Sequence, residues 1–180
     1  PGVFPLLALG ERSNLRCGVV LRSHRKLSVP DLAPQTDQWS GSLDFTQDKQ
    51  LRARKPLVAL ASDNTIPIAL TGPAPQYTWG LNDRFYPYRD PYWVEEGQRV
   101  EMVFSNPTPM GHPMHLHGHE FQILEIDGQP LAGPMRDTVY VPKGGTCRIA
   151  FDANNPGIWA FHCHISYHHV RGMFTVVAYR

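Results

Sequence analysis

Nine histidines occur in the 180 residues, and all but His24 fall in two short segments. One reads His112-Pro113-Met114-His115-Leu116-His117-Gly118-His119. The other reads His162-Cys163-His164-Ile165-Ser166-Tyr167-His168-His169 and runs on through Val170-Arg171-Gly172 to Met173. A single histidine is ordinarily a hydrogen-bonded core or surface residue. That reading does not account for such clustering, whereas tracts rich in His and Cys are what metal binding requires. The interspersed residue types and the apolar strands that follow exclude a purification tag.

Strand geometry sorts these donors. Successive side chains of an extended segment point to opposite faces. His162 and His164 therefore face one way and Cys163 the other. Pro113 disfavours a helix in the first segment. If that segment is extended, His115 and His117 share a face and His112 lies opposite. Two groups result: Cys163 with His112, and His115, His117, His162 with His164. One thiolate, two imidazoles and a weak thioether describe a blue-copper electron-transfer site. Cys163 and His112 supply the first two donors. The chain beyond His164 must turn back to bring His168 as the second imidazole and Met173 as the axial thioether, a return that Gly172 eases. The second group is all imidazole, which copper, zinc and iron all accept. Zinc is its main competitor, although structural zinc sites more often use several Cys.

The elements that must position these residues read as all-β. From residue 56 onward, candidate strands at 57–61, 65–70, 76–79, 99–106, 120–126, 138–141, 147–151, 158–164 and 173–178 are short and separated by turn signals such as Asp127-Gly128 and Asn155-Pro156-Gly157. That spacing predicts a β-sandwich or barrel. The 17 Pro and 15 Gly agree with many turns and few long helices. Residues 15–22 read as one apolar strand, and 23–55 show no sustained period and read as a linker. The expected organisation is thus 1–22, a piece of a preceding domain, then the linker 23–55, then one domain over 56–180. A net charge of +1 offers no case for nucleic acid or an anionic membrane surface. No apolar run is long enough to span a bilayer. The chain starts at Pro1 without an initiator Met, so a processed N-terminus or a longer polypeptide is expected. Three cysteines do not describe a disulfide framework. Cys147 reads as a buried, inert thiol, with a bridge to Cys17 left open. His119 is expected to be structural, and Trp79 and the Tyr86–Tyr92 cluster to be packing residues.

The two histidine segments resemble those of the multicopper oxidases, which include laccases, ascorbate oxidases, bilirubin oxidases and bacterial cuprous oxidases. The patterns are His-Pro-x-His-Leu-His-Gly and His-Cys-His-x-x-x-His-x-x-x-Gly-Met, and both stand intact at 112–118 and 162–173. Family-like text also occurs at 77–82, 96–100 and 136–139. The resemblance covers residues 57–180 well and 1–22 more loosely. It implies a cupredoxin-like Greek-key β-sandwich, the C-terminal copper domain of such an enzyme, preceded by the tail of another cupredoxin domain. It also implies a role for each donor. His112, Cys163 and His168 match type 1 copper ligands with Met173 axial, His115 matches a type 2 ligand, and His117, His162 and His164 match type 3 ligands. By the same resemblance, type 1 copper takes single electrons from a small reducing substrate, phenolic or aromatic amine. Cys163 with its neighbours His162 and His164 passes them to a trinuclear cluster that reduces dioxygen to water.

The family's trinuclear cluster needs four His-x-His pairs, and this chain carries two, His115/His117 and His162/His164. The other two are expected from an N-terminal cupredoxin domain, on another chain or segment. His169 stands where several bacterial relatives carry a Glu associated with proton delivery, so the proton donor must lie elsewhere. Asp137, in the Arg-Asp-Thr segment, is a candidate for orienting an imidazole. The five Met form no Met-rich segment, which weakens a cuprous-oxidase reading. The competing function is an electron-transfer or copper-binding cupredoxin module without oxidase activity; a simple electron carrier would have no use for His115, His117, His162 and His164, whereas the sequence does not reject a copper-binding module. The resemblance implies a periplasmic or secreted setting.

Overall fold

A computed structural model describes residues 1–88 and 90–180. The chain divides into two compact units, Pro1–Leu43 and Asp44–Arg180. The first is built on a hairpin of β1 (Val3–Leu9) and β2 (Arg16–Arg22), paired antiparallel from Val3 opposite Arg22 to Leu9 opposite Arg16. Only β2 has a clear sequence signal. Pro5 interrupts β1, and a two-stranded ribbon tolerates it because each strand has a free edge.

The second unit opens with α1 (Thr46–Gln50), in the stretch read as a linker. Phe45 before it is buried, and Asp48 accepts a 3.1 Å ion pair from Arg136. The strands then follow as β3 (Asn64–Ala74), β4 (Thr78–Leu81), β5 (Tyr92–Val94), β6 (Arg99–Ser105), β7 (His112–Leu116), β8 (Phe121–Ile126), β9 (Gln129–Pro130), β10 (Met135–Arg136), β11 (Thr138–Val141), β12 (Thr146–Asp152), β13 (Ile158–Cys163) and, after α2 (Ser166–Val170), β14 (Phe174–Tyr179). One sheet has the order β10-β8-β12-β6-β3-β4, with β9 added to β8, and the other β11-β7-β13-β14-β5. Most pairings are antiparallel; β3 with β6 and β14 with β5 are parallel. This is the cupredoxin-like sandwich that the turn spacing and the resemblance imply.

Two expected strands differ. Residues 57–61 join no ladder among the described residues; side chains take two of their backbone groups. Gln122 Oε1 accepts from the Leu57 amide at 2.9 Å, and the Arg99 guanidinium donates to the Val58 carbonyl at 2.8 Å. The 76–79 stretch begins as a tight turn over 75–77, with Gln76 and Tyr77 both at positive φ (64° and 60°), and only then enters β4. The core between the sheets contains Trp79, Phe104, Phe121, Phe151 and Phe161, all fully buried. At roughly 1.5–3 kcal/mol for each large buried side chain, this packing holds the fold, and single donor residues can be altered without removing its main support.

Candidate metal centre

Two neighbouring strands carry the donors. In β7 burial alternates strictly: His112, Met114 and Leu116 are buried and Pro113 and His115 half-buried. In β13, Phe161 and Cys163 are buried and His162 is half-buried between them. The strands pair antiparallel with His162 opposite His115 and Cys163 opposite Met114. Cys163 therefore shares its face with Met114 and, two residues back along β7, with His112. His162 and His115 share the other face. The His164 amide donates to the Pro113 carbonyl at 2.7 Å, which holds the strand end against β7.

On the inner face, Cys163 Sγ lies 3.7 Å from Nδ1 of His112 and 3.6 Å from Nδ1 of His168, and the two Nδ1 atoms are 3.0 Å apart. All three residues are fully buried, and their ligand atoms lie within 4.8 Å of one another. His168 arrives because α2 turns the chain back immediately after β13. The backbone then closes around the site: the Met173 amide donates to the His168 carbonyl at 3.0 Å, and the Cys163 amide to the Met173 carbonyl at 3.1 Å. Met173 is thereby tied to both, and its side chain is fully buried. Gly172 makes the return feasible. Its φ is +114°, and a Cβ there would stand 2.6 Å from the Trp79 carbonyl oxygen. Trp79 itself stacks on His168 at 4.2 Å and meets His112 edge-on at 5.0 Å. It is a packing residue, as expected, and what it packs against are two of the donors.

The chemistry of this donor set fits a single cation. Burial pushes the Cys163 thiol up to about 12. Burial, then the neighbouring His168, pulls His112 down to about 3, and burial lowers His168 as well. Both imidazoles are thus neutral ligands at neutral pH. Two buried Nδ1 atoms at 3.0 Å cannot both present lone pairs unless a proton or a cation stands between them. Two imidazoles, one thiol and a buried thioether at the same end of the strands match a type 1 copper site, and copper is the metal this site fits.

On the outer face the four remaining histidines converge. Ring centroids are 4.6 Å apart for His115 and His117, 5.2 Å for His117 and His162, 5.6 Å for His115 and His162, 5.5 Å for His115 and His164, and 6.0 Å for His162 and His164. Hydrogen bonds assign the ring nitrogens. His115 Nδ1 donates to the Asp137 carbonyl at 2.9 Å, with the Thr138 hydroxyl also at 2.9 Å. His162 Nδ1 donates to its neighbour's carbonyl at Cys163, 3.0 Å away. Both rings thus keep Nε2 free, and His162 Nε2 lies 3.1 Å from Nε2 of His117. Burial, then His115 and His164, lowers the His117 pKa; burial likewise lowers that of His162. The group borders an open depression of about 310 Å³ lined by His115, His117, His119, Glu120 and Asp137. The contact from Asp137 to His115 is made by its main-chain oxygen and not by the carboxylate.

His119 stays apart from these rings. It is nearly buried, its Nε2 is 2.7 Å from the Tyr179 hydroxyl, and it packs on Phe151 at 5.0 Å, a structural role as expected. His169 lies 5.1 Å from the His162 ring. Cys17, Cys147 and Cys163 are all free, and Cys147 is buried with its thiol pKa raised by burial. Sequence reasoning missed three contacts to donor rings. Thr108 Oγ1 is 2.8 Å from His112 Nε2, Thr138 meets His115, and the Tyr77 hydroxyl is 3.5 Å from His168 Nε2. A hydroxyl has no periodic signal; only its place in the fold reveals the partner.

The sequence profile of the multicopper oxidases matches residues 60–180. The chain is 37% identical over 182 aligned residues to the multicopper oxidase MmcO of Mycobacterium tuberculosis, covering 99% of this chain and 35% of that protein. It is 39% identical over 95 residues to Laccase-6 of Arabidopsis thaliana, covering 46% of this chain and 17% of that one. Among solved structures, the McoA multicopper oxidase of the hyperthermophile Aquifex aeolicus superposes with a TM-score of 0.60 at 29% identity, over 70% of this chain and 32% of that one. The chain thus spans about a third of the length of MmcO.

Proposed function

The chain belongs to the multicopper oxidase family, and from that membership we propose that it is the C-terminal copper domain of a laccase-like oxidase. In that reading residues 56–180 carry the copper domain, 1–22 are the tail of a preceding cupredoxin domain, and 23–55 connect them, the last part of that connection from Asp44 packing as α1 into the second unit. The supporting observation is the alternation along β13. It turns Cys163 into the buried cluster with His112 and His168, and His162 and His164 toward the open histidine face. In this reading His112, Cys163 and His168 hold type 1 copper with Met173 axial, His115 is a type 2 ligand, and His117, His162 and His164 are type 3 ligands.

Copper bound at these sites supplies one-electron acceptance from a phenolic or other small reducing substrate and four-electron reduction of dioxygen to water. The chain's own part is structural and electrostatic. Buried neutral imidazoles and the Trp79 face keep water from the inner cluster. Cys163 is joined covalently to His162 and His164, so the two metal-binding faces are one residue apart along the backbone. Four imidazoles cannot satisfy three copper ions, each of which takes two or three. A partner domain contributing two further His-x-His pairs completes the outer face. The relatives named as a multicopper oxidase and a laccase support an oxidase over a simple electron carrier, as does the open four-imidazole face, which a carrier does not need.

The test is oxygen consumption measured with an electrode on the copper-loaded chain, alone and together with a segment carrying two more His-x-His pairs. Alone, the chain should accept electrons once from a phenolic donor and stop; with the partner, consumption should be sustained. Sustained turnover by the chain alone would overturn the shared-cluster reading. A loaded chain that takes no electron from any such donor would overturn the oxidase reading.

A further inference from the structure

The two imidazoles of the inner cluster are held very differently, and the difference points to a residue outside the donor set. His168 Nε2 has the Tyr77 hydroxyl only at 3.5 Å. His112 Nε2 has the Thr108 hydroxyl at 2.8 Å, inside a buried polar chain. The direction of that chain follows from its ends. The Asn106 amide nitrogen shares its two protons among three carbonyls, those of Met110 at 2.8 Å, Val141 at 2.9 Å and Pro142 at 3.0 Å. Its Oδ1 is therefore turned to Thr108, accepting from the amide at 3.1 Å and facing the hydroxyl at 2.7 Å. The Met110 carbonyl also faces that hydroxyl, at 2.9 Å. Both neighbours are acceptors only, and Thr108 has one hydroxyl proton to give. Given to either oxygen, that proton is not available to His112, which then faces a hydroxyl lone pair. That arrangement favours the proton on Nε2 of His112 and leaves the Nδ1 lone pair facing Cys163 and His168.

We propose that Thr108, fixed by Asn106, is a positioning residue that sets the His112 tautomer for metal binding through Nδ1. The proposal rests on the reading of His112, Cys163 and His168 as a copper site. Its physical basis is that the hydrogen bond on the far nitrogen of a ligating imidazole fixes both tautomer and ring orientation. Asn106 and Thr108 are 2% and 3% exposed, so both are shielded from bulk solvent. Asn106 also ties the 106–110 loop to the end of β11, which makes Thr108 the residue to test.

Cuprous ion is titrated into the full chain under anaerobic chelator competition, with Cys163→Ser as the reference for inner-cluster binding. Thr108→Val keeps the shape but removes the acceptor, leaving a buried N–H that favours the opposite tautomer. It should weaken Cys163-dependent binding by about 10–100-fold, the usual cost of losing such a partner. Thr108→Ser restores the hydroxyl and should restore the affinity. A second measurement needs no variant. Nitrogen-15 histidine NMR of the metal-free wild-type chain should show His112 already protonated at Nε2, with a slowly exchanging proton facing the Thr108 hydroxyl. Unchanged affinity in Thr108→Val, failure of Thr108→Ser to rescue, or a His112 proton on Nδ1 would each overturn the proposal while leaving the copper site intact. If wild type and Cys163→Ser bind alike, the copper-site reading fails and this proposal with it.

Discussion

Raising the pH should tighten cuprous binding at Cys163 continuously, past the point where an ordinary thiol would level off. The thiolate is the ligand, so binding must expel the Cys163 proton. Burial pushes this thiol from 9.0 to about 12. The difference of about 3 units corresponds to about 4 kcal/mol at ~1.36 kcal/mol per unit, which the metal–thiolate bond must offset. The imidazoles release nothing over the same range. His112 is held down to about 3 by burial and by His168, and burial shifts His168 the same way. One proton, from Cys163, should therefore leave per ion above about pH 7. The assay is anaerobic chelator competition from about pH 7 to about pH 10, with Cys163→Ser subtracted to remove any binding at the open histidine face. Cys163-dependent affinity should climb about tenfold per pH unit throughout. Calorimetry in buffers of different ionisation enthalpy should count one proton. A plateau near pH 9, or no proton released, would mean that the thiol is already ionised, and the reasoning from burial would be wrong.

Two further outcomes follow from the same site. Replacing Met173 with Leu should raise the reduction potential of the type 1 centre, because losing an axial donor disfavours the oxidised ion; spectroelectrochemistry showing an unchanged potential would remove Met173 from the ligand set. Acid should destabilise the metal-free chain through His112. Its folded pKa is depressed, so the stability it contributes is complete above about 6.5 and is lost as the pH falls toward about 3. Urea midpoints should drop across that window in the wild type and less in His112→Gln, and parallel curves for the two would show that His112 is not the titrating group.

Several features were legible before any fold was known, and each belongs to a short stretch of chain. Strand parity is strictly local, because neighbouring side chains must point apart wherever the backbone is extended. That made the separation of Cys163 from His162 and His164, and of His112 from His115 and His117, readable from residues 112–117 and 162–164. Turn residues spaced along 56–180 marked an all-β sandwich for the same local reason. The strand at 3–9 carries no clear signal of its own, and the stretch at 57–61 reads as a strand yet joins no ladder, because pairing partners, and not propensity, decide which segments join a sheet.

The sequence by itself determined which donor types exist, which face of its strand each takes, and that a Gly precedes Met173. Tertiary structure alone decided where those faces meet. The β7–β13 register sets His162 opposite His115 and puts Cys163 within reach of His112. The α2 return, packed against Trp79, brings His168 to within 3.0 Å of His112 at Nδ1. The hydroxyls of Thr108 and Thr138 reach the ring nitrogens of His112 and His115 only in the folded chain. A hydrogen bond depends on distance and angle between groups that loops and strands bring together, and no periodicity within one strand encodes either.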